Sequence, residues 1–244
     1  MNRGRGIRAP FSLGGQAMHI GLIGGIGVAA TVVYYQRLAA AVGGPFRLTI
    51  AHGDIQELIR NNLADRRADQ ARAFLPLAAS LVGAGCDCIA LTSLGAHFCY
   101  DDFAALSPVP VVSGVAPLDA HFAAQGIACV GLLGTRVVMR TGLYGQLART
   151  RAIALTDEIE TLGQMYQEVA VAGTCTPAQR AAFVAAGARM MDAGAQAVVL
   201  AGTDLNLAFD GQDPGYPVID ALDVHVALLA RLARGDLTLA DLPG

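Results

Sequence analysis

Short apolar runs alternate with longer alanine-rich segments along most of this chain. Each run has four to six residues, too few for a helix, and turn-forming residues flank it. Unbroken apolarity of this kind is typical of strands that are buried on both faces of a parallel sheet. The predicted strands cover residues 20–23, 48–51, 88–92, 109–113, 128–133, 197–201 and 216–219.

The segments between these runs show helical spacing of their apolar residues. The predicted helices cover residues 29–42, 67–83, 115–125, 141–149, 160–171 and 178–193. Strands that alternate with helices indicate an α/β fold, in which helices cover both faces of a parallel sheet. Ligands of such folds bind beyond the carboxyl ends of the strands, so the residues that directly follow strands are the candidates for a functional site.

The second half of the chain repeats the first. The matching pairs are 21–24 with 131–134, 85–93 with 194–202, and 109–113 with 216–220, at offsets of 110, 109 and 107. Three matches in one order and at nearly one offset indicate a duplication. We therefore expect two pseudo-symmetric lobes, each with a parallel sheet flanked by helices, and an active site in the cleft between them.

The repeat also suggests where the lobes begin and end. The first lobe is expected to cover residues 18–115, and residues 225–244 are expected to pack back onto it. The second lobe is expected to cover residues 116–224. Residues 1–17 precede the first strand and are expected to form an N-terminal tail.

Composition narrows the function further. The net charge is −3 and no basic cluster stands out, which argues against a nucleic-acid partner. All seventeen basic residues are arginine, so a lysine Schiff base with pyridoxal phosphate and a P-loop lysine are both excluded. The five cysteines and five histidines lack metal-ligand spacing. We expect a cytoplasmic protein with a small-molecule substrate, no membrane contact, no metal and no other cofactor.

Ser93, His97 and Asp204 are the candidate catalytic residues. Ser93 directly follows the third predicted strand, and His97 would share its face of a following helix and could activate its hydroxyl. The alternative is that Ser93 caps this helix and that His97 packs behind it. Asp204 lies at the equivalent strand end of the second half, two residues beyond Gly202, as either an acid–base carboxylate or a helix cap.

Candidate substrate-binding residues follow other strands or neighbour the catalytic candidates. They are Gly25, Ile26, Asp54, Arg66, Leu94, Gly95, Thr135, Gly202 and Thr203. A glycine turn at Gly25 would let backbone N–H groups approach a substrate carboxylate, and its G-G-x-G spacing differs from the G-x-G-x-x-G of dinucleotide sites. Arg66 could hold a carboxylate with two hydrogen bonds, or it could be a solvated loop charge.

Together these segments resemble the aspartate/glutamate racemase superfamily over residues 18 to about 225. The segments that carry the resemblance are 20–31, 93–97, 131–144 and 201–207. The family's glycine turn is commonly G-G-M-G-P, where this chain has G-G-I-G-V at 24–28. The pair Asp65-Arg66 is similar to the D-R-T segment of aspartate racemases, whose arginine holds a substrate carboxylate. The resemblance implies two lobes with the site between them, and a homodimer.

The chain departs from this family at the reacting groups. Family racemases use two opposed cysteines, in segments like C-N-T-A-H and G-C-T-E. Here Ser93 stands at the first position, followed by Leu94 and Gly95, and Gly202 stands at the second. A serine hydroxyl is a far weaker base than a cysteine thiolate, and glycine has no side chain. Racemisation by two thiols is therefore excluded.

Three functions remain open. The favoured one is a cofactor-independent enzyme with proton-transfer chemistry, as lyase, cyclase, dehydratase or isomerase, on a larger and less polar substrate. Leu94, Gly95 and Gly202 remove polarity or bulk, so we expect a wider and more apolar cleft. The alternatives are an amino-acid or hydroxy-acid racemase or isomerase that uses Asp204 with Ser93 and His97, and a catalytically silent ligand-binding homologue.

Overall fold

Each half of the chain forms its own four-stranded parallel sheet in the computed structural model, which describes residues 17–242. The predicted tail lies outside this range except for Ala17. The strands are β1 (His19–Gly24), β2 (Arg47–His52), β3 (Cys88–Leu91), β4 (Val111–Val112), β5 (Cys129–Gly134), β6 (Arg151–Ile153), β7 (Ala197–Ala201) and β8 (Val218–Asp220).

Ten α-helices connect and cover these strands within the described residues. They are α1 (Val28–Val42), α2 (Ile55–Leu63), α3 (Arg67–Gly83), α4 (Tyr100–Leu106), α5 (Leu118–Ala124), α6 (Arg136–Thr141), α7 (Ile159–Ala172), α8 (Pro177–Asp192), α9 (Asn206–Phe209) and α10 (Ala221–Arg234). Short 3-10 turns precede α4 and α9, at Leu94–Cys99 and Thr203–Leu205.

The two sheets have the same strand order, as the duplication predicts. The first is β2-β1-β3-β4, the second is β6-β5-β7-β8, and every pair is parallel. Apolar clusters fill both faces of each sheet. The expected α/β fold with two lobes is therefore confirmed, and the equivalent residues Ser93 and Gly202 lie just beyond the ends of β3 and β7.

One predicted helix is wrong, and several observed elements, α4 and α10 among them, were not predicted. The predicted helix at 141–149 is wrong, because α6 ends at Thr141 and the backbone then turns with positive φ at Gly142, Leu143, Tyr144 and Gly145. The sequence pattern also missed β6, which has three residues and begins with a charged one. It missed α2 as well, although Asp54 caps this helix with hydrogen bonds to two backbone N–H groups.

The C-terminal helix packs on the first lobe and not on the second sheet that precedes it. In α10, Leu222, Val226 and Leu229 are buried against Ile20 and Leu38 of β1 and α1. The connection between the lobes lies before α5, which covers the second sheet with Leu118 and Phe122. The chain thus crosses between the lobes twice, which holds the ends of β3 and β7 close together.

Candidate functional site

A hollow of about 520 Å³, open mouth included, lies between the two lobes. The first lobe lines it with Ile55, Leu58, Ile59, Asn62, Leu63, Ser93 and Gly95. The second lobe lines it with Thr135, Arg136, Gly163, Tyr166, Gln167 and Ala170. This interlobe pocket therefore uses the end of β3, the start of α6, and one side each of α2 and α7.

Three of the predicted site residues line this pocket. Ser93 lies two residues beyond the end of β3, and its Oγ makes no hydrogen bond with any other described residue. Thr135 caps α6 by accepting the Val138 N–H at 3.4 Å. A Cβ atom at Gly95 would lie 2.8 Å from the Thr135 methyl group, so glycine is what lets the two lobes approach here. Ser93 is thus the polar group that the first lobe offers at this point.

His97 does not have the catalytic geometry that the sequence suggests. Its Nδ1 donates to the Ser93 carbonyl oxygen and its Nε2 accepts the Gly114 N–H, both at 2.9 Å. Both ring nitrogens are therefore occupied by the backbone, and burial lowers the His97 pKa to about 4. A neutral imidazole held in this way cannot take the Ser93 hydroxyl proton. The packed histidine behind Ser93 is the arrangement that the structure contains.

The expected widening at Gly202 is absent, because Tyr166 fills the space. A Cβ atom at Gly202 would overlap the Tyr166 ring, with Cζ at 2.8 Å. Tyr166 comes from α7, is 5% exposed and lines the interlobe pocket. An aromatic ring from a neighbouring helix therefore occupies the position in which the resemblance places the second thiol.

Asp204 lies beside this ring and is almost fully buried. Its Oδ2 accepts the Tyr166 hydroxyl at 3.2 Å, and its Oδ1 accepts the Ala30 N–H at 3.1 Å. A Cβ atom at Gly27 would lie 2.5 Å from Oδ2, so the glycine turn before α1 leaves room for the carboxylate. Asp204 thus caps α1 of the opposite lobe, and it meets the pocket only through Tyr166.

Burial dominates the acid–base properties of this pair. It raises the pKa of Asp204 to about 6, although the hydrogen bonds from Ala30 and Tyr166 act in the opposite direction. It also raises the pKa of Tyr166 well above the ordinary tyrosine value, and the nearby Asp204 charge adds to this. Near neutral pH the pair is therefore a neutral phenol that donates to a carboxylate.

The raised pKa predicts how stability depends on pH. Between the ordinary aspartate value of 3.8 and about 6, the unfolded chain loses the Asp204 proton while the folded protein keeps it. The free energy of unfolding should therefore fall through this window, by about 1.4 kcal/mol per pKa unit. Asp204→Asn removes this contribution. In urea unfolding, the free energy of unfolding of the variant relative to the wild type should therefore be higher at pH 7 than at pH 4. If the free energy of unfolding changes with pH equally in the two proteins, the raised pKa of Asp204 is contradicted.

Four other predicted binding residues lie outside the interlobe pocket and have structural partners. The Gly25 N–H donates to Thr31 Oγ1 at 2.9 Å, and Ile26 is buried in the core of the first lobe. Leu94 is buried in the second lobe's core, although it belongs to the first. Thr203 Oγ1 donates to the Thr92 carbonyl oxygen at 3.0 Å, which ties the ends of β7 and β3 together.

The two predicted charged contacts also lie away from the interlobe pocket. Asp54 Oδ1 accepts the Gln56 and Glu57 N–H groups as the cap of α2, and its side chain is exposed beside Gly25 in a separate surface hollow. Arg66 is exposed at the start of α3 and lines no described hollow. The solvated loop charge, and not the carboxylate clamp, matches this arrangement.

The sequence reasoning missed Arg136, Tyr166 and the apolar side of α2. For α2 a signal existed, since Ile55, Leu58, Ile59 and Asn62 follow a capping aspartate at helical spacing. Arg136 directly follows Thr135, so its position after β5 was also available. Tyr166 has no comparable signal, because it lies mid-helix and reaches the site only through the packing of α7.

The fold is that of a known family. A family model described as Asp/Glu/Hydantoin racemase matches residues 23–229. The chain belongs to this family. A solved structure described as a putative Asp/Glu racemase from Yersinia pestis is 25% identical, with a TM-score of 0.74, and the match covers 88% of this chain and 99% of that one.

Further solved structures share the fold of this racemase-family chain. An aspartate racemase homologue from Pyrococcus horikoshii OT3 is 24% identical with a TM-score of 0.68. The aspartate racemase of Picrophilus torridus is 19% identical with a TM-score of 0.70. Both matches cover 88% of this chain and 99% of the other.

The described residues lack two features, a metal-binding cluster and a membrane-spanning helix. Residues 17–242 contain no cluster of three or more histidine, cysteine, aspartate or glutamate residues suited to a metal ion. None of the helices in the same range combines the length and apolarity needed to cross a bilayer.

Proposed function

We propose that this racemase-family protein is a cofactor-independent enzyme that transfers protons on a substrate less polar than aspartate or glutamate. The observation that carries the proposal is the contact between Tyr166 and Asp204. A buried carboxylate with a raised pKa stands one hydrogen bond behind a phenol that lines the pocket. Perturbed acid–base groups at a cleft are typical of catalytic sites.

The proton path follows from the hydrogen bonds. When the Tyr166 oxygen takes a proton from a substrate carbon, its own proton moves to Asp204 Oδ2, so the tyrosine stays neutral and the carboxylate becomes a carboxylic acid. The reverse movement returns a proton to the substrate. Because the Asp204 pKa is about 6, both forms of the carboxyl group are accessible near neutral pH.

Ser93 has a different part in this proposal. Without a base to take its proton, its hydroxyl is a hydrogen-bond donor to the substrate and not a nucleophile. A racemase that uses Ser93 with His97 is disfavoured, since the backbone occupies both His97 nitrogens. The reaction type, whether lyase, cyclase, dehydratase or isomerase, follows from the substrate. A homodimer, a cytoplasmic location and independence from metals and other cofactors remain predictions.

Hydrogen exchange in deuterated water tests this function. The protein is incubated with aspartate, glutamate, 2-hydroxyoctanoate and phenylacetate, and deuterium at the α-carbon is measured by mass spectrometry. We expect enzyme-dependent labelling of at least one apolar acid, and none of aspartate or glutamate, because both family thiols are missing. Rapid labelling of aspartate or glutamate would overturn the proposal, as would the absence of labelling in every apolar acid.

A further inference from the structure

The interlobe pocket has one charged side chain among its described lining residues, and it is a cation. Arg136 supplies this charge from the first position of α6. The remaining lining residues are apolar or carry neutral polar groups, and no described carboxylate lines the pocket. A cavity of this composition favours a ligand with a single negative charge and an otherwise apolar body.

Side chains of α7 orient Arg136, and some of its guanidinium N–H groups have no hydrogen-bond partner among the described residues. Its Nε donates to Glu160 at 3.2 Å, and its two terminal nitrogens donate to Gln167 at 3.0 Å and Gln164 at 2.6 Å. These bonds use three of the five guanidinium N–H groups, so two are left for a ligand. The side chain is 14% exposed, and Glu160, which it shares with Arg140, is 64% exposed. Its pairing with Glu160 is therefore solvated, and Arg136 lines the interlobe pocket as well as the outer hollow beside Glu160 and Gln164.

The apolar part of the pocket comes mainly from α2. Ile55, Leu58, Ile59 and Leu63 lie on the side of this helix that lines the pocket. Leu63 is 60% exposed, so its side chain is accessible to a ligand in the pocket. The adjoining Asn62 is held by a hydrogen bond to the Gly95 carbonyl oxygen, so this helix is tied to the end of β3.

We propose that the pocket binds monocarboxylic acids with an apolar arm, with the carboxylate on Arg136 and the arm against α2. This inference rests on the proposed function for its site and adds the substrate class. A second carboxylate would meet apolar residues and remain unpaired, at a high desolvation cost. An α-ammonium group would find no carboxylate among the described lining residues. The preferred acids therefore carry no amino group and no second acid group.

Binding to the intact protein tests the proposal without knowledge of the natural substrate. The probes are straight-chain carboxylates from butanoate to octanoate, together with octanamide and octanedioate, and titration calorimetry measures their affinities. Affinity should rise about fourfold with each methylene group. Octanoate should bind at least about tenfold more tightly than octanamide or octanedioate. No preference for octanoate over both, or no dependence on chain length, would overturn the proposal.

Paired variants assign the two halves of the ligand to their contacts. Arg136→Gln should lower octanoate affinity about tenfold or more and leave octanamide unchanged, while Arg140→Gln, which also loses a bond to Glu160, should change neither. Leu63→Asn should flatten the chain-length dependence, while Leu106→Asn, another exposed leucine, should not. Equal effects of the members of either pair would contradict the assignment. If Arg136→Gln does not fold, the ligand series on the wild-type protein still tests the preference for apolar monocarboxylates.

The outcomes separate this inference from the function on which it rests. If octanoate binds as expected but no apolar acid exchanges its α-hydrogen, the proposed catalysis fails and the binding preference stands. If an apolar substrate exchanges in an Asp204-dependent manner but the carboxylate series shows no preference, the catalysis stands and the present inference fails.

Discussion

Asp204→Asn should lower turnover about a hundredfold or more, which is the usual loss when a general acid or base is removed. Asparagine has the same shape, and its side-chain oxygen still accepts the Ala30 N–H, so the cap of α1 should survive. The variant thus separates the two roles that the structure gives to one carboxylate. Turnover is measured as α-hydrogen exchange, and folding as the unfolding midpoint.

Two further variants make this result specific. Asp210→Asn removes an exposed carboxylate that pairs with Arg37 in the segment after Asp204, and it should leave turnover unchanged. Tyr166→Phe should lower turnover and raise the Asp204 pKa, since it removes a hydrogen bond that lowers this pKa. The pH profile should then shift to higher pH. Full activity of Asp204→Asn together with a lower unfolding midpoint would show that Asp204 is only a helix cap.

The fold was predictable because it depends on an apolar pattern that occurs in both halves of the chain. Strands buried on both faces, such as β1 and β5, form unbroken apolar runs, and their repetition at one offset predicts two equivalent sheets. The short strand β6 begins with Arg151, so its pattern is too brief and too polar to be distinguished from a loop. Residues 141–149 have the apolar spacing of a helix, but positive φ angles at Leu143 and Tyr144 exclude one.

The site was only partly predictable, for a different physical reason. The ends of strands are fixed by sheet topology, so Ser93, Gly95 and Thr135 could be assigned to one pocket from the repeat. Which side chains then approach these ends depends on how helices pack. Tyr166 enters the space beside Gly202 from a helix that begins 43 residues earlier in the chain, at Ile159. Packing also explains why Arg66 is exposed while Arg136 lines the pocket.

The replacement of the family's second thiol leads to the remaining prediction. Gly202→Cys should destabilise the protein by about 3 kcal/mol, at the upper end of the cost of overpacking. The new Cβ atom would overlap the Tyr166 ring and would also lie 2.9 Å from Gly134 Cα. Gly44→Cys is the matched control, because nothing lies within 4 Å of a Cβ atom there, and its effect should be small.

A double-mutant cycle shows whether the ring is the cause. Tyr166→Ala alone opens a cavity and should cost about 3–5 kcal/mol. In that background Gly202→Cys should cost clearly less than it does in the wild type, so the double variant should be more stable than the sum of the two effects by about 1–3 kcal/mol. Contact with Gly134 persists, and the rescue is therefore partial. Strict additivity in urea unfolding would mean that the backbone of β5, and not Tyr166, excludes a side chain at position 202.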